Sequence, residues 1–256
     1  MADNRSLNPW FPYCKVNPQA RLRLFCFPYA GGGALIFRNW AASLPASVEV
    51  RAVQLPGRGS RMLDAPFTEM SPLVQATAEV LLPYLDKPFA FFGHSMGTII
   101  SFELARHLRR KNGPQPVALF ASGGRAPQVP DDDPVTHDLP EPEFIEELRR
   151  LNGTAPGLFD NPELLQLMIP LLRADFSLAE TYNYVSELPL NCPIFAFGGL
   201  QDVDVTREHL EAWREQTTSH FWLRMFPGDH FFLHASEADL LAITSLKLQQ
   251  LAVTLA

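Results

Sequence analysis

The sequence has no apolar run approaching the roughly 18–20 residues that cross a bilayer, so no transmembrane helix and no membrane partner is expected. The first residues, MADNRSLNPWFPYCKV, lack a basic flank followed by an apolar stretch; a secretory signal is not expected, and a cytoplasmic location is. Cysteine is scarce: Cys14, Cys26 and Cys192 are an odd set with no CxxC. Two of them lie in apolar runs, which favours reduced, buried thiols over a disulfide framework or a zinc site. No Lys/Arg run interleaves with aromatics, which argues against a nucleic-acid partner. Fixed-period repeats and low-complexity tracts are absent as well, excluding solenoids and long linkers. Charged residues make up only 19% of the 256 residues, against 46% hydrophobic. That balance excludes wholesale disorder and suits one large core, so residues 1–256 are expected to form a single domain. A monomer is expected.

The net charge of −7 is unevenly spread. Residues 1–129 carry 14 basic and 7 acidic side chains, whereas residues 130–190 carry 3 and 13. Asp131–Asp133 resembles a metal cluster only superficially, because three adjacent carboxylates cannot all face one ion; a solvated loop is expected, and no metal.

What is present is an alternation. Short apolar runs at Leu22–Phe27, Val48–Val53, Phe89–Gly93, Val117–Ser122, Ile194–Gly198 and Phe221–Phe226 mostly lack a period of two. This suits strands covered on both faces of a parallel sheet. Helical patterns separate them, near Ile36–Leu44, Ser71–Leu85, Thr98–Lys111, Val205–Thr217 and Glu237–Leu251. The implied fold is α/β, a mostly parallel sheet flanked by helices. One segment breaks the rhythm: between Ser122 and Asn191 there is no convincing strand; Pro127, Pro130, Pro134, Pro140 and Pro142 open it, and helical patterns follow near Glu143–Leu151 and from Pro162 to about Tyr184. Connections of that length are commonly lids, and a helical lid over 127–190 is expected.

Chemistry concentrates at Gly93-His-Ser95-Met-Gly97, a G-x-S-x-G that directly follows an apolar strand and opens a helix. The serine must sit on a sharp turn, and a side chain at Gly93 or Gly97 would strike the neighbouring strand or helix. Ser95 needs a base to become nucleophilic. Of the seven histidines, His230 stands in a Pro/Gly loop after the last strand, where parallel sheets build sites. His94 should point away along the turn, and His234 should face a helix surface. The acid that orients His230 should follow the preceding strand, and Asp202 is favoured there; Asp204 competes but could cap the helix starting near Val205. Oxyanion donors are expected at the amide of Met96 and, from the Gly-rich loop Phe27–Gly33, at Ala30. Neither G-x-x-x-x-G-K-[ST] nor a helix-opening G-x-G-x-x-G is present.

These segments, together with Gln54-Leu-Pro-Gly-Arg-Gly59, Ala121-Ser-Gly-Gly-Arg-Ala-Pro127, Pro170-Leu-Leu-Arg-Ala-Asp175, Gly198-Gly-Leu-Gln-Asp202 and Gly228-Asp-His230, resemble the type II thioesterases of polyketide and non-ribosomal peptide biosynthesis. The resemblance runs over nearly the whole chain. It implies an α/β-hydrolase fold, a Ser95–Asp202–His230 triad, oxyanion donors at Ala30 and Met96, and a helical lid. It further implies hydrolysis of acyl groups from the phosphopantetheine arm of acyl or peptidyl carrier domains, with no cofactor. Tyr29 and Gly33 depart from the family, which often has His at the first position and Ser or Ala at the second. An acidic carrier would need a local basic face, for which Arg38, Arg58, Arg61 and Arg125 are the candidates, unless they pair with the acidic lid. Leu164, Leu167, Met168 and Leu171 are candidates to line an acyl pocket.

Overall fold

The computed structural model describes residues 8–130, 134–151, 153 and 157–254. Six strands, β1 (Leu22–Phe27), β2 (Val48–Ala52), β3 (Phe89–His94), β4 (Ala118–Ser122), β5 (Ile194–Gly199) and β6 (Phe221–Phe226), form one sheet in the order β2-β1-β3-β4-β5-β6. All neighbouring pairs are parallel. β1 to β5 are buried at every position, which explains why their sequences do not alternate; only the edge strand β6 shows partly exposed positions. The six apolar runs become these six strands, with ends moved by a residue.

Among the described residues eight α-helices accompany them: α1 (Trp40–Ser43), α2 (Met70–Leu81), α3 (Met96–Arg110), α4 (Glu141–Leu151), α5 (Pro162–Glu180), α6 (Arg207–Glu211), α7 (Phe232–Ala235) and α8 (Glu237–Thr254). On one face of the sheet α2 and α3 pack Leu73, Val74, Ile100 and Leu104 onto Phe25, Phe91 and Leu119. On the other, Trp40 and the α8 residues Leu240 and Leu248 cover Phe92, Phe120 and Phe197.

Three helical expectations are corrected. Ser71–Leu85 is α2 only to Leu81, and a 3₁₀ turn, Leu82–Tyr84, follows. Ile36–Leu44 is not one helix but a 3₁₀ turn, Ala34–Phe37, followed by α1. The turn and α1 together bury the rings of Phe37 and Trp40, which meet edge-on at 4.9 Å. Val205–Thr217 likewise divides into α6 and a 3₁₀ stretch, Ala212–Gln216. The four-residue α7 was not anticipated, being too short to show a period.

Among the described residues no strand of the sheet lies between Ser122 and Ile194; α4 and α5 occupy the segment and share a small core of Phe144, Leu148, Leu165, Ile169 and Leu172. α5 opens on Asn161, whose side chain accepts the Leu164 amide at 3.1 Å, with Pro162 in its first turn. Asp131–Asp133 lies outside the described residues. Cys26 and Cys192 are buried free thiols and Cys14 is a partly exposed one. Among the described residues no helix is long and apolar enough to cross a membrane.

Candidate active site

β3 ends in a turn that α3 immediately follows, and Ser95 stands at its tip with φ 54° and ψ −121°. A positive φ at a residue with a Cβ is strained, and the surroundings enforce it. The Ser95 amide donates to the Ser122 carbonyl at 2.8 Å. A Cβ on Gly93 would come within 2.1 Å of the Gly97 carbonyl oxygen, and one on Gly97 within 2.3 Å of the Phe27 carbonyl oxygen. The two glycines therefore let β3, α3 and the end of β1 converge beneath the serine.

The chain between β6 and α7 brings His230 to the same place. Its Nε2 lies 2.9 Å from Ser95 Oγ, and its Nδ1 lies 2.8 Å from Asp202 Oδ2. A carboxylate only accepts, so Nδ1 carries the proton and Nε2 is left to accept from the serine hydroxyl. Asp202 follows β5, and its side chain is fully buried. Burial raises its pKa, but the hydrogen bond and charge of His230, with the amides of Val205 and Asp204, outweigh that and hold the carboxyl below its ordinary range. Those two amides donate to Oδ1 at 3.0 Å each, so both oxygens are committed and the carboxylate cannot rotate.

Asp204, the competing candidate, neither contacts His230 nor caps the helix. The cap of α6 is Thr206, whose hydroxyl accepts from the His209 amide, while Asp204 pairs with Arg150 of α4 at 3.1 Å. The amide of Met96 opens α3 and so has no intrahelical acceptor. Among the described residues the Ala30 amide has no protein acceptor either, and both residues line the cavity above Ser95.

His94 points away from Ser95, as expected, yet it is part of the support. Its ring is buried, with Nε2 3.0 Å from the carbonyl oxygen of His230 and Nδ1 2.9 Å from Ser122 Oγ. The carbonyl accepts, so Nε2–H donates and Nδ1 takes the Ser122 proton. That is a neutral imidazole, consistent with burial, then the charge of His230, holding its pKa well below the usual histidine range. A Cβ on Gly123 would fall 2.8 Å from the ring, which explains part of the Gly-Gly pair after β4. Sequence reasoning missed this role, although a histidine directly before the serine was the available signal. His234 is exposed on α7, and its Nε2 meets the Tyr29 hydroxyl at 3.0 Å.

Ser95, His230, Ala30 and Met96 open onto a cavity of about 800 Å³ that extends beneath α4 and α5. Its walls include Leu148, Leu164, Met168, Leu172 and Phe176. Of the four residues expected to line it, Leu164 and Met168 do. Leu167 is 56% exposed, and Leu171 is buried against the loop at Gly57 instead. The basic candidates also divide. Arg38 is exposed and Arg61 pairs with Asp64, whereas Arg58 is buried and bonded through both terminal nitrogens to Asp175 of α5. Arg58 is therefore no part of a docking face. Arg125 donates to the Pro130 carbonyl at 3.3 Å.

A six-stranded parallel sheet carrying a strained serine turn and a histidine loop at its carboxyl ends defines an α/β hydrolase. Within that class, the family model described as Thioesterase domain matches residues 22–246, and the chain belongs to the thioesterase family. It is a serine-type thioester hydrolase by that membership. The chain is 48% identical to the gramicidin S biosynthesis protein GrsT of Aneurinibacillus migulanus over 92% of each sequence. It is 49% identical to the linear gramicidin dehydrogenase LgrE of Brevibacillus parabrevis, over 94% of this chain and 92% of that one. Among solved structures it resembles RedJ, a thioesterase from the prodiginine pathway of Streptomyces coelicolor, with TM-score 0.84, 40% identity and coverage of 95% and 99% of the two chains. YbtT, the type II thioesterase of the yersiniabactin NRPS/PKS pathway, gives TM-score 0.81 at 29% identity, covering 93% and 97%.

Proposed function

We propose that this thioesterase removes acyl groups from the phosphopantetheine thiol of acyl or peptidyl carrier domains, clearing stalled or misprimed intermediates from a polyketide or non-ribosomal peptide synthase. The observation that carries the reading is the hydrogen-bonded line Ser95–His230–Asp202 opening into an apolar cavity large enough for an acyl chain. Support for the substrate comes from the relatives, two of which are named for gramicidin pathways and one for an NRPS/PKS pathway.

Ser95 Oγ attacks the thioester carbonyl while its proton passes to His230 Nε2. The carbonyl oxygen becomes an oxyanion held by the Ala30 and Met96 amides. Asp202 keeps the Nδ1–H tautomer and stabilises the imidazolium. The C–S bond then breaks, His230 returns the proton to the leaving sulfur, and the acyl group remains on Ser95. Water attacks that ester while its proton passes to His230; the C–O bond to Ser95 then breaks, His230 returns the proton to Ser95 Oγ, and the acid leaves. The chain acts as one domain, with 127–190 as a helical lid whose α4 and α5 shield the acyl chain from water.

Turnover of one acyl group on a carrier protein, on coenzyme A and on an oxygen ester tests the substrate assignment. The carrier thioester should have the highest kcat/KM. A preference for coenzyme A or for the oxygen ester would overturn the carrier assignment while leaving the acyl-enzyme chemistry standing.

A further inference from the structure

Two segments singled out in the sequence, Gln54–Gly59 and Pro170–Asp175, supply no group to the chemistry above. In the structure they meet. Arg58 and Asp175 form a two-pronged pair, 2.7 Å on each prong, with the Asp175 residue fully buried and Arg58 4% exposed. Such a pair forfeits two hydration shells, so it is poorly explained as a source of stability. Apart from the Arg58 Nε donation to the Pro56 carbonyl at 3.1 Å, its remaining bonds concern the loop that carries Ala30. Asp175 Oδ2 accepts the Gly31 amide at 2.7 Å, and Arg58 donates to the Gly32 carbonyl at 3.1 Å. Gln54 accepts the Ala34 amide at 3.0 Å and donates to the Arg58 carbonyl at 2.8 Å.

That loop needs outside support. The Gly32 amide closes a turn onto the Tyr29 carbonyl at 2.9 Å, with Ala30 and Gly31 as its central residues and Gly31 at φ +76°. This is the glycine-dependent turn in which the central peptide can rotate end over end. The central peptide is the one directly after the Ala30 amide, and Asp175 holds its N–H. Asp175 lies on α5, the helix that also sends Leu164, Met168, Leu172 and Phe176 into the acyl cavity. Leu172 packs so close to Gly31 that a Cβ there would lie 2.6 Å from its Cδ2.

We propose that α5 completes the oxyanion hole: Asp175, buttressed by Arg58, is a positioning residue that fixes the Gly31 peptide and so directs the Ala30 amide at the oxyanion. The hole is assembled only while α5 is seated, so the helix that senses the acyl chain also sets the rate of its transfer. This rests on the Ser95 acyl-enzyme reading and on Ala30 as a donor.

The test removes both charges together, with the double variant Arg58→Met, Asp175→Leu. Replacing a buried pair by apolar side chains is often neutral for folding, which separates anchoring from stability. With a short acyl thioester that leaves most of the cavity empty, kcat should fall at least about tenfold and KM should stay within about twofold, as expected when a donor is displaced rather than deleted. Affinity for a trifluoromethyl ketone analogue, which forms a hemiketal oxyanion on Ser95, should fall by the same factor. Affinity for a non-hydrolysable thioether of the same chain should not change. Should the double variant fail to fold, Asp175→Asn is read in the same way in its folded fraction. Unchanged kcat and ketone affinity in a folded variant, or a loss carried by KM and thioether affinity, would overturn the proposal. Failure of the ketone to add to Ser95 in the unaltered enzyme would instead overturn the acyl-enzyme reading beneath it.

Discussion

A serine held at φ 54° costs about 1–3 kcal/mol, and here the cost falls on the residue that must project from the sheet. Around it, each titratable group is committed to one partner geometry, so the two aspartates after β5 give contrasting predictions. Asp202→Asn should lower kcat by about 10⁴-fold, because the side chain that fixes the His230 tautomer is lost. Asp204→Asn breaks only the partly exposed pair with Arg150, worth about 0–1 kcal/mol, and should leave steady-state kinetics nearly unaltered. Reversed outcomes would reassign the acid. His94 yields a pH prediction. Its folded pKa lies below the unfolded value of about 6.5, so the unfolded chain binds the extra proton first. The stability it contributes is complete above that value and is lost as pH falls through it, by at most about 1.4 kcal/mol per pH unit. Urea unfolding between pH 7 and pH 5 should show a shallower pH slope for His94→Gln than for the unaltered chain; equal slopes would contradict the buried neutral ring. The serine, histidine and aspartate positions were legible because each follows a strand and two sit beside paired or turn glycines. The support from His94 was not, since sequence says that it adjoins Ser95 but not that its ring reaches the carbonyl of a residue 136 positions away.

At the scale of elements, strands were easier to read than helices. Continuous Phe-, Val- and Leu-rich runs have one stable home in a sheet covered on both faces, whereas short helical patterns can break into 3₁₀ turns, as Ile36–Leu44 does. The apolar stripe of α5 shows a second limit. Periodicity groups Leu164, Leu167, Met168 and Leu171, but only packing separates a cavity wall from a buried seam or a solvent face. Met168→Ala should therefore shift acyl-chain preference toward longer chains in a kcat/KM series. Leu171→Ala should leave preference unchanged and cost about 2–5 kcal/mol in urea unfolding, because it empties a buried contact at Gly57. If Leu171→Ala shifts the preference and Met168→Ala does not, the cavity lining is misassigned. The glycines of the serine turn tolerate nothing: with its Cβ 2.3 Å from the Phe27 carbonyl oxygen, Gly97→Ala should yield no folded protein in a thermal melt.

For the molecule as a whole, charge asymmetry was visible in the sequence but its meaning was not. The positive excess of residues 1–129 includes Arg58, and an arginine in a loop looks exposed until its burial against Asp175 is known. The exposed Arg38 remains a candidate for carrier docking. Arg38→Glu should raise KM for an acyl-carrier substrate more than for a small thioester, and the difference should vanish at 1 M salt, where screening acts within about 3 Å. Equal losses on both substrates would remove Arg38 from the docking face. The central claim, however, is covalent. Mixing the enzyme with an excess of acyl thioester, quenching in acid within milliseconds and weighing the intact protein tests it most directly. The account predicts a mass increase equal to one acyl group, mapped to the peptide that contains Ser95, and neither adduct nor turnover in Ser95→Ala. Undiminished hydrolysis by Ser95→Ala, or an acyl group mapped to another residue, would contradict it.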